Sequence, residues 1–263
     1  MPRHPGRKGE GMPTAQSGDL QTPALRSLIG RARRIAFFGG AGVSTESGIP
    51  DFRSAEGLFA GEGTAGTPPE VILSEGFFLR HTEAFFAWYR AHMLYPDAKP
   101  NAAHRALAAL ERAGKLRGLV TQNVDGLHRM AGSRALYELH GTVTENECVG
   151  CGAEYSLPWL LQTDGVPRCP DCGAVVKPRV VLYGEPLNEY VMRGAAREIA
   201  SCDTLIVAGT SLTVAPAASL TDRFQGDRLI VINRTETPLD GAADLVIRAS
   251  AARVFAALRL PPA

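Results

Sequence analysis

The chain has 263 residues and a formal net charge of +1. That length suffices for one α/β domain and a smaller one, and so balanced a charge gives no argument for nucleic acid or an anionic membrane surface as partner. No apolar run is long enough to span a bilayer, and the basic opening MPRHPGRKGEGMP lacks the apolar core of a secretory signal.

From the N-terminus, residues 1–22 are rich in Pro, Gly and charge, and are expected to form a flexible tail. RIAFFGG (34–40) then reads as a strand. PNAAHRALAALERAGK follows, with Ala103, Leu107 and Leu110 at helical spacing and Pro100 near its start. GLVTQN (118–123) and LYELHG (136–141) are further strand patterns. NEYVMRGAAREIASCD reads as a helix before the strand TLIVAGTS (204–211), and TVAPAASLTDRFQGD as another before LIVINR (229–234). Apolar strands alternating with helices predict a parallel sheet covered on both faces.

Each strand pattern ends in Gly, Asn, His, Ser, Thr or Arg. One such ending is only a turn. Five of them place Gly-Ala-Gly, Gln-Asn, His-Gly, Gly-Thr-Ser and Asn-Arg at the strand ends where open parallel sheets bind ligands. The glycine loop is not that of a dehydrogenase. Gly40 and Gly42 fit GxGxxG, but Thr45 replaces the third glycine, and Glu62 stands at the distance of the ribose-binding acid in AGEGTAGT, which no strand precedes. The loop predicts dinucleotide binding without hydride chemistry.

Five cysteines are present. Cys148-x2-Cys151, seventeen residues, then Cys169-x2-Cys172 is the spacing of a four-thiolate zinc ribbon, with Gly152 and Gly173 allowing the tight knuckles. Four thiolates fill a tetrahedral zinc and leave no place for water, so the metal is expected to be structural. Only Arg168 supplies a cation between Cys148 and Cys172, which argues against a nucleic-acid ribbon. Cys202, before an apolar strand, is expected to be a buried inert thiol. Without a secretory signal the chain reads as reduced and cytoplasmic.

GAGVSTESGIPDFR (40–53), TQNVDGLH (121–128), ELHG (138–141), the four cysteines, GTSLTVAP (209–216) and VINR (231–234), taken in this order, resemble the sirtuin family. The resemblance runs from about Leu25 to the C-terminal helix. It implies a fold of class α/β: a Rossmann-type parallel sheet with helices on both faces, plus a smaller domain containing a zinc ribbon and a helical insertion. The larger domain would comprise 23–46, 100–143 and 185–260, and the smaller 47–99 and 144–184. The implied activity is NAD-dependent removal of acetyl groups from protein lysines. NAD is the co-substrate, one zinc ion is structural, and the products are nicotinamide, O-acetyl-ADP-ribose and free lysine.

Site roles follow from the same resemblance. Gly40, Ala41 and Gly42 would meet the pyrophosphate, the last two through backbone N–H groups. Ile49 and Asp125 would hold the nicotinamide, Phe52 would shield the reactive ribose carbon, and Arg53 would lie against phosphate and ribose. Asp51 would belong to the same loop or merely brace it. Gln122 and Asn123 would contact the ribose. His140 would be the general base, with Asn123 beside it, a role that suits an imidazole because its pKa lies near working pH. Gly209, Thr210, Ser211, Asn233 and Ser250 would bind the adenosine half.

The acyl-lysine peptide would pair with the backbone of Val181, Tyr183, Gly184 and Glu185. Phe86 and Tyr89 align with the family's acyl-selecting helix, where enzymes acting on acidic acyl groups carry Tyr and Arg, so a neutral acyl group is expected. Both aromatics are equally simple as helix core. Tyr183, where the family usually has Phe, is expected to pack. His4, His81, His92 and His104 are assigned to surface or core, and His128 to shaping its loop. A monomer acting on acetyl-lysine proteins, with neither nucleic acid nor membrane as partner, completes the expectation. ADP-ribosyl transfer, a zinc-containing dehydrogenase and a non-catalytic NAD-sensing adaptor remain the alternatives.

Overall fold

The computed structural model describes residues 21–52, 57–58 and 66–258. The assigned tail 1–22 lies outside them except at its end, where the first helix, Thr22–Arg31, already begins. Arg53 also lies outside the described residues.

Nine strands are described: β1 (Ile35–Gly39), β2 (Leu116–Thr121), β3 (Leu136–Glu138), β4 (Gly141–Cys148), β5 (Glu154–Ser156), β6 (Val176–Val180), β7 (Thr204–Ala208), β8 (Arg228–Ile232) and β9 (Leu245–Ile247). Six of them form one sheet in the order β3-β2-β1-β7-β8-β9, and every pairing in it is parallel. The chain runs outward from β1 through β2 to β3, then returns to β7 on the other side of β1 and runs outward again. The order therefore reverses between β1 and β7. β9, only three residues long, had escaped a reading by periodicity.

Successive side chains of β1 show why the sheet is covered twice. Phe37 packs with Leu25 and Ile29 of the first helix, Leu107 of the helix Ala102–Arg112, and Val254 and Phe255 of the helix Ala251–Leu258. Phe38 points the other way, to Ala195 and Ile199 of the helix Glu189–Ser201. Both rings are fully buried, and each contributes roughly 1.5–3 kcal/mol through loss of contact with water. The helix expected over 213–227 is shorter than its pattern: only a 3-10 turn, Ala218–Arg223, is formed. Pro216 supplies no N–H to a helix running through it.

β5, β4 and β6 form a separate antiparallel sheet. A second core joins it to the helices Pro69–Ile72, Glu75–Arg80 and Thr82–His92: Ile72, Phe78, Phe85, Phe86 and Tyr89 pack with Val143, Leu160, Val180 and Leu182. The two sheets meet at Gly141. Its φ is +73°, and a β-carbon there would lie 1.8 Å from Arg179 C=O. Both the strained φ and the backbone clash exclude a side chain. Gly141→Ala is expected to cost more than about 2 kcal/mol, read as a lowered thermal midpoint; an unchanged midpoint would contradict this tight crossing.

Candidate active site

The loops leaving β1 and β7 touch backbone to backbone. Gly42 N–H donates to Gly209 C=O at 2.9 Å, and Gly40 N–H to Ala208 C=O at 3.2 Å. A β-carbon on Gly42 would lie 2.8 Å from Gly209 Cα, and one on Gly209 2.5 Å from Val43 N. After the glycines come two 3-10 turns, Ala41–Val43 and Thr45–Ser47, rather than the long helix of a dehydrogenase. The expectation that Ala41 and Gly42 both offer an N–H to phosphate needs correction. Gly42 N–H is consumed by Gly209, whereas among the described residues Ala41 N–H has no hydrogen-bond partner.

A cavity of about 640 Å³ opens over this junction, a size ordinary for a small-molecule site. Its wall takes Gly40, Ala41 and Gly42 from the first loop, with Asp51 and Phe52 further along it. Gln122 and His140 come from the ends of β2 and β3, Gly209, Thr210 and Ser211 from β7, and Asn233 and Ser250 from beyond β8 and β9. Val181, Tyr183, Gly184 and Glu185 line the opposite side. Several of these side chains are already engaged, Gln122 with Thr210 and Ser211 with Thr213 among them. Ser250 Oγ donates to Glu46 and accepts from Arg253 N–H at the start of the last helix. Asn233 Nδ2 donates to Thr235 C=O and Oγ1.

His140 is fixed through one ring nitrogen. Nδ1 lies 3.0 Å from Gln122 C=O. A carbonyl only accepts, so Nδ1 carries the proton of the neutral ring and Nε2 keeps its lone pair. Burial lowers the imidazole pKa from its ordinary value of 6.5, and the bond to Gln122 offsets part of that.

Ile49, Asn123 and Asp125 do not line the cavity. Asn123 and Asp125 join instead a buried network centred on Ser44. Ser44 Oγ lies 2.6 Å from Asp125 Oδ2, 3.0 Å from Asn123 Nδ2 and 3.4 Å from His104 Nε2. His104 Nδ1 accepts from Asn101 N–H, so its proton sits on Nε2 and points at Ser44. With donors on two sides, Ser44 spends its one proton on Asp125, while Leu127 N–H donates to Oδ1. Burial raises the Asp125 pKa, which the bonds from Ser44, Leu127 and Asn123 counter. Burial, aided by Arg105, pushes His104 down to about 4. His128, packed 4.5 Å from His104, is lowered by burial and by that neighbour. Asn123 Oδ1 is buried without a hydrogen-bond partner.

The four cysteine sulfurs all lie within 4.8 Å of one another. Cys148 and Cys172 are 3.4 Å apart, and Cys151 and Cys169 3.6 Å. Zinc–sulfur bonds of about 2.3 Å set tetrahedral sulfurs about 3.8 Å apart, so the cluster fits the ion. Both knuckles close identically: Cys148 N–H to Ala153 C=O with Gly152 N–H to Cys148 C=O, and Cys169 N–H to Ala174 C=O with Gly173 N–H to Cys169 C=O. Donors face the sulfurs, among them Tyr155 Oη at 3.1 Å from Cys169 and Gly150 N–H at 3.4 Å from Cys148. Cys202 lies apart and buried, its thiol pushed up to about 11.

Residues 40–216 match the Sir2 family. A protein of Clostridium perfringens called NAD-dependent protein deacetylase is 53% identical over 232 residues, which cover 88% of this chain and 95% of that one. The chain belongs to the Sir2 family. A Cutibacterium acnes protein of the same name is 50% identical over 235 residues, covering 89% of this chain and 96% of its own. Among solved structures, a Sir2 protein described with a p53 peptide and NAD+ matches at TM-score 0.78 and 35% identity, over 90% of this chain and 96% of that one. A Sir2 protein bound to a propionylated peptide matches at TM-score 0.78 and 33% identity, over 91% and 97%.

Within this Sir2 chain the aromatic pair expected at the acyl group is displaced. Phe86 and Tyr89 are fully buried in the second core and do not reach the cavity. Their helix turns Phe85, Phe86, Trp88 and Tyr89 inward. The apolar end of the cavity is formed by Leu73, Met93, Val124, Val180 and Leu182 with Phe52. Tyr183 is exposed rather than packed. Arg90 is committed elsewhere, donating to Leu160 C=O, Thr163 Oγ1 and Gly165 C=O. Ser44 and His104 were not foreseen as partners. The only signals were a serine two residues after the glycines and a histidine three after a capping Asn101.

Removing zinc with a strong chelator, or substituting Cys148→Ala, is expected to unfold the β4-β5-β6 sheet, because ligand binding and folding are coupled there. Zinc content and a thermal scan read this together; a zinc-free chain with an unchanged midpoint would remove the structural role.

Proposed function

We propose that this protein removes acetyl groups from lysine side chains of proteins or peptides, using NAD as co-substrate and releasing nicotinamide, O-acetyl-ADP-ribose and free lysine. NAD supplies the ribose that takes up the acetyl group. The observation that carries the reading is a histidine with Nδ1 tied to Gln122 C=O and Nε2 unprotonated, on the wall of a cavity whose other side is the Gly40–Gly209 junction. His140 Nε2 is the base that takes a proton from a ribose hydroxyl.

The geometry supports the remaining roles. Ala41 N–H faces the pyrophosphate, while Gly40, Gly42 and Gly209 keep side chains out of its way. Gln122 and Thr210, joined at 3.2 Å, and Asn233 line the path of the ribose and adenosine. Asp125 and Asn123, held through Ser44 behind the cavity wall, serve the nicotinamide and the ribose respectively, and a small shift of that wall brings them to the ligand. The acyl chain enters the apolar end beside Phe52. Among the described residues that end has no cation, since Arg90 is tied to 160–165. The substrate backbone pairs with 181–184. The chain acts as a monomer in the cytoplasm, and neither nucleic acid nor membrane is its partner; among the described residues no helix is long and apolar enough to cross a membrane.

Incubation with NAD and an acetyl-lysine peptide is expected to release nicotinamide in step with deacetylation. Release that ignores the peptide would point to ADP-ribosyl transfer instead. His140→Ala should lower turnover by roughly 10²-fold or more while NAD still binds by calorimetry. Because burial lowers the His140 pKa, the base stays neutral below the ordinary imidazole range. The acid limb of kcat/KM, which reports the free enzyme, is therefore expected below pH 6.5, and a limb above pH 7 would remove the assignment. A succinyl-lysine peptide should react at least roughly 10²-fold more slowly than its acetyl counterpart, because burying an unpaired carboxylate costs several kcal/mol. Comparable rates would show that a cation reaches the acyl end.

A further inference from the structure

The segment 180–185 lines the cavity with every one of its residues, yet it belongs to no sheet beyond Val180. Three neighbours hold it. Val181 N–H donates to His140 C=O at 2.9 Å. Tyr183 N–H donates to Leu73 C=O and Glu75 N–H to Tyr183 C=O, both at 2.9 Å. The third hold is a charge pair. Glu185 Oε2 accepts from Leu182 N–H at 2.8 Å and from Lys177 Nζ at 3.0 Å, and the same ammonium donates to Val180 C=O at 2.9 Å. Glu185 N–H returns to Leu182 C=O at 3.0 Å, and Gly184 turns the chain with φ +98°.

Lys177 thus bridges the last strand of the cysteine-bearing sheet to both ends of the loop. The side chains of Lys177 and Glu185 are 18% and 22% exposed, so water screens the pair less than it would a surface bridge. With those bonds made, Val181 C=O, the Gly184 N–H and C=O and Glu185 C=O are backbone groups of the loop that no hydrogen bond among the described residues uses. They are the ones an extended peptide can pair with. An ordered loop spares the peptide the entropy of ordering it on binding.

We propose that Lys177 and Glu185 are positioning residues that preform the peptide-docking loop, so that acyl-lysine peptide affinity depends on their ion pair while NAD affinity does not. The inference rests on the reading that 181–184 takes the substrate backbone. It also assigns the cysteine-bearing sheet a task besides stability, since β6 carries Lys177 and pairs Val176 with Cys148.

The test uses the full, zinc-loaded chain, a fluorescent acetyl-lysine peptide in anisotropy titrations, and steady-state kinetics. Lys177→Met is expected to weaken peptide binding and raise the peptide KM by about tenfold, the scale of one charge-assisted hydrogen bond. Its kcat and NAD KM should stay within about twofold of wild type. Lys177→Arg should restore most of the loss. Glu185→Gln should weaken binding in the same direction, and the double variant Lys177→Met with Glu185→Gln should be little worse than the weaker single one. Unchanged peptide binding in Lys177→Met, or an equal rise in the NAD KM, overturns the inference. Should Lys177→Met lose zinc or its thermal transition, Glu185→Gln decides by the same criteria. A wild-type chain that turns over the peptide while its variants bind normally sinks only this inference. A wild-type chain that neither binds nor deacetylates the peptide sinks the functional reading and takes this one with it.

Discussion

The backbone contact between the β1 and β7 loops governs the rest. Gly42 and Gly209 meet through backbone atoms alone, with no room for a β-carbon on either. That contact lies where the strand order reverses, so the helices on the two faces diverge and leave a crevice above the strand ends. Every wall of the cavity is measured from this junction. A side chain at either glycine would force the loops apart.

The second core fixes the other wall. Residues from 72–94 and from 143–182 pack together as one apolar cluster, although residues 95–142, most of them belonging to the large sheet and its helices, separate them in sequence. A small antiparallel sheet of three strands has little apolar area to keep itself folded, and four convergent sulfurs answer that weakness. The same sheet delivers Val180 and the loop beyond it to the cavity. Cysteine cluster, sheet and cavity wall are therefore one mechanical unit.

Between the walls sits the buried network of His104, Ser44, Asn123 and Asp125. Its hydrogen bonds have a single consistent direction, since a ring nitrogen that accepts from Asn101 N–H leaves the other to donate. Burial keeps both His104 and His128 neutral near neutral pH. A neutral, directed network presents Asp125 in one orientation without placing a net cation beside it.

The sequence by itself determined the parallel α/β sheet, the glycine loop that follows β1 and the cysteine cluster. Each of these is written in a local signal: apolar periodicity, glycine where backbones touch, and sulfur pairs at fixed spacing. What depends on which face a residue turns, or on partners distant in the chain, was decided only by tertiary structure. Phe86 and Tyr89 align with an acyl pocket but turn into the core, and Met93 and Leu73 take the cavity wall instead. Gly42 N–H goes to Gly209 rather than to a ligand. Ser44, His104 and Asp125 meet across 81 residues, and Lys177 finds Glu185 only because β6 and the following loop fold back together. Backbone conformation is set by neighbours in the chain, whereas packing and hydrogen-bond partners are set by whatever the fold brings within a few ångströms.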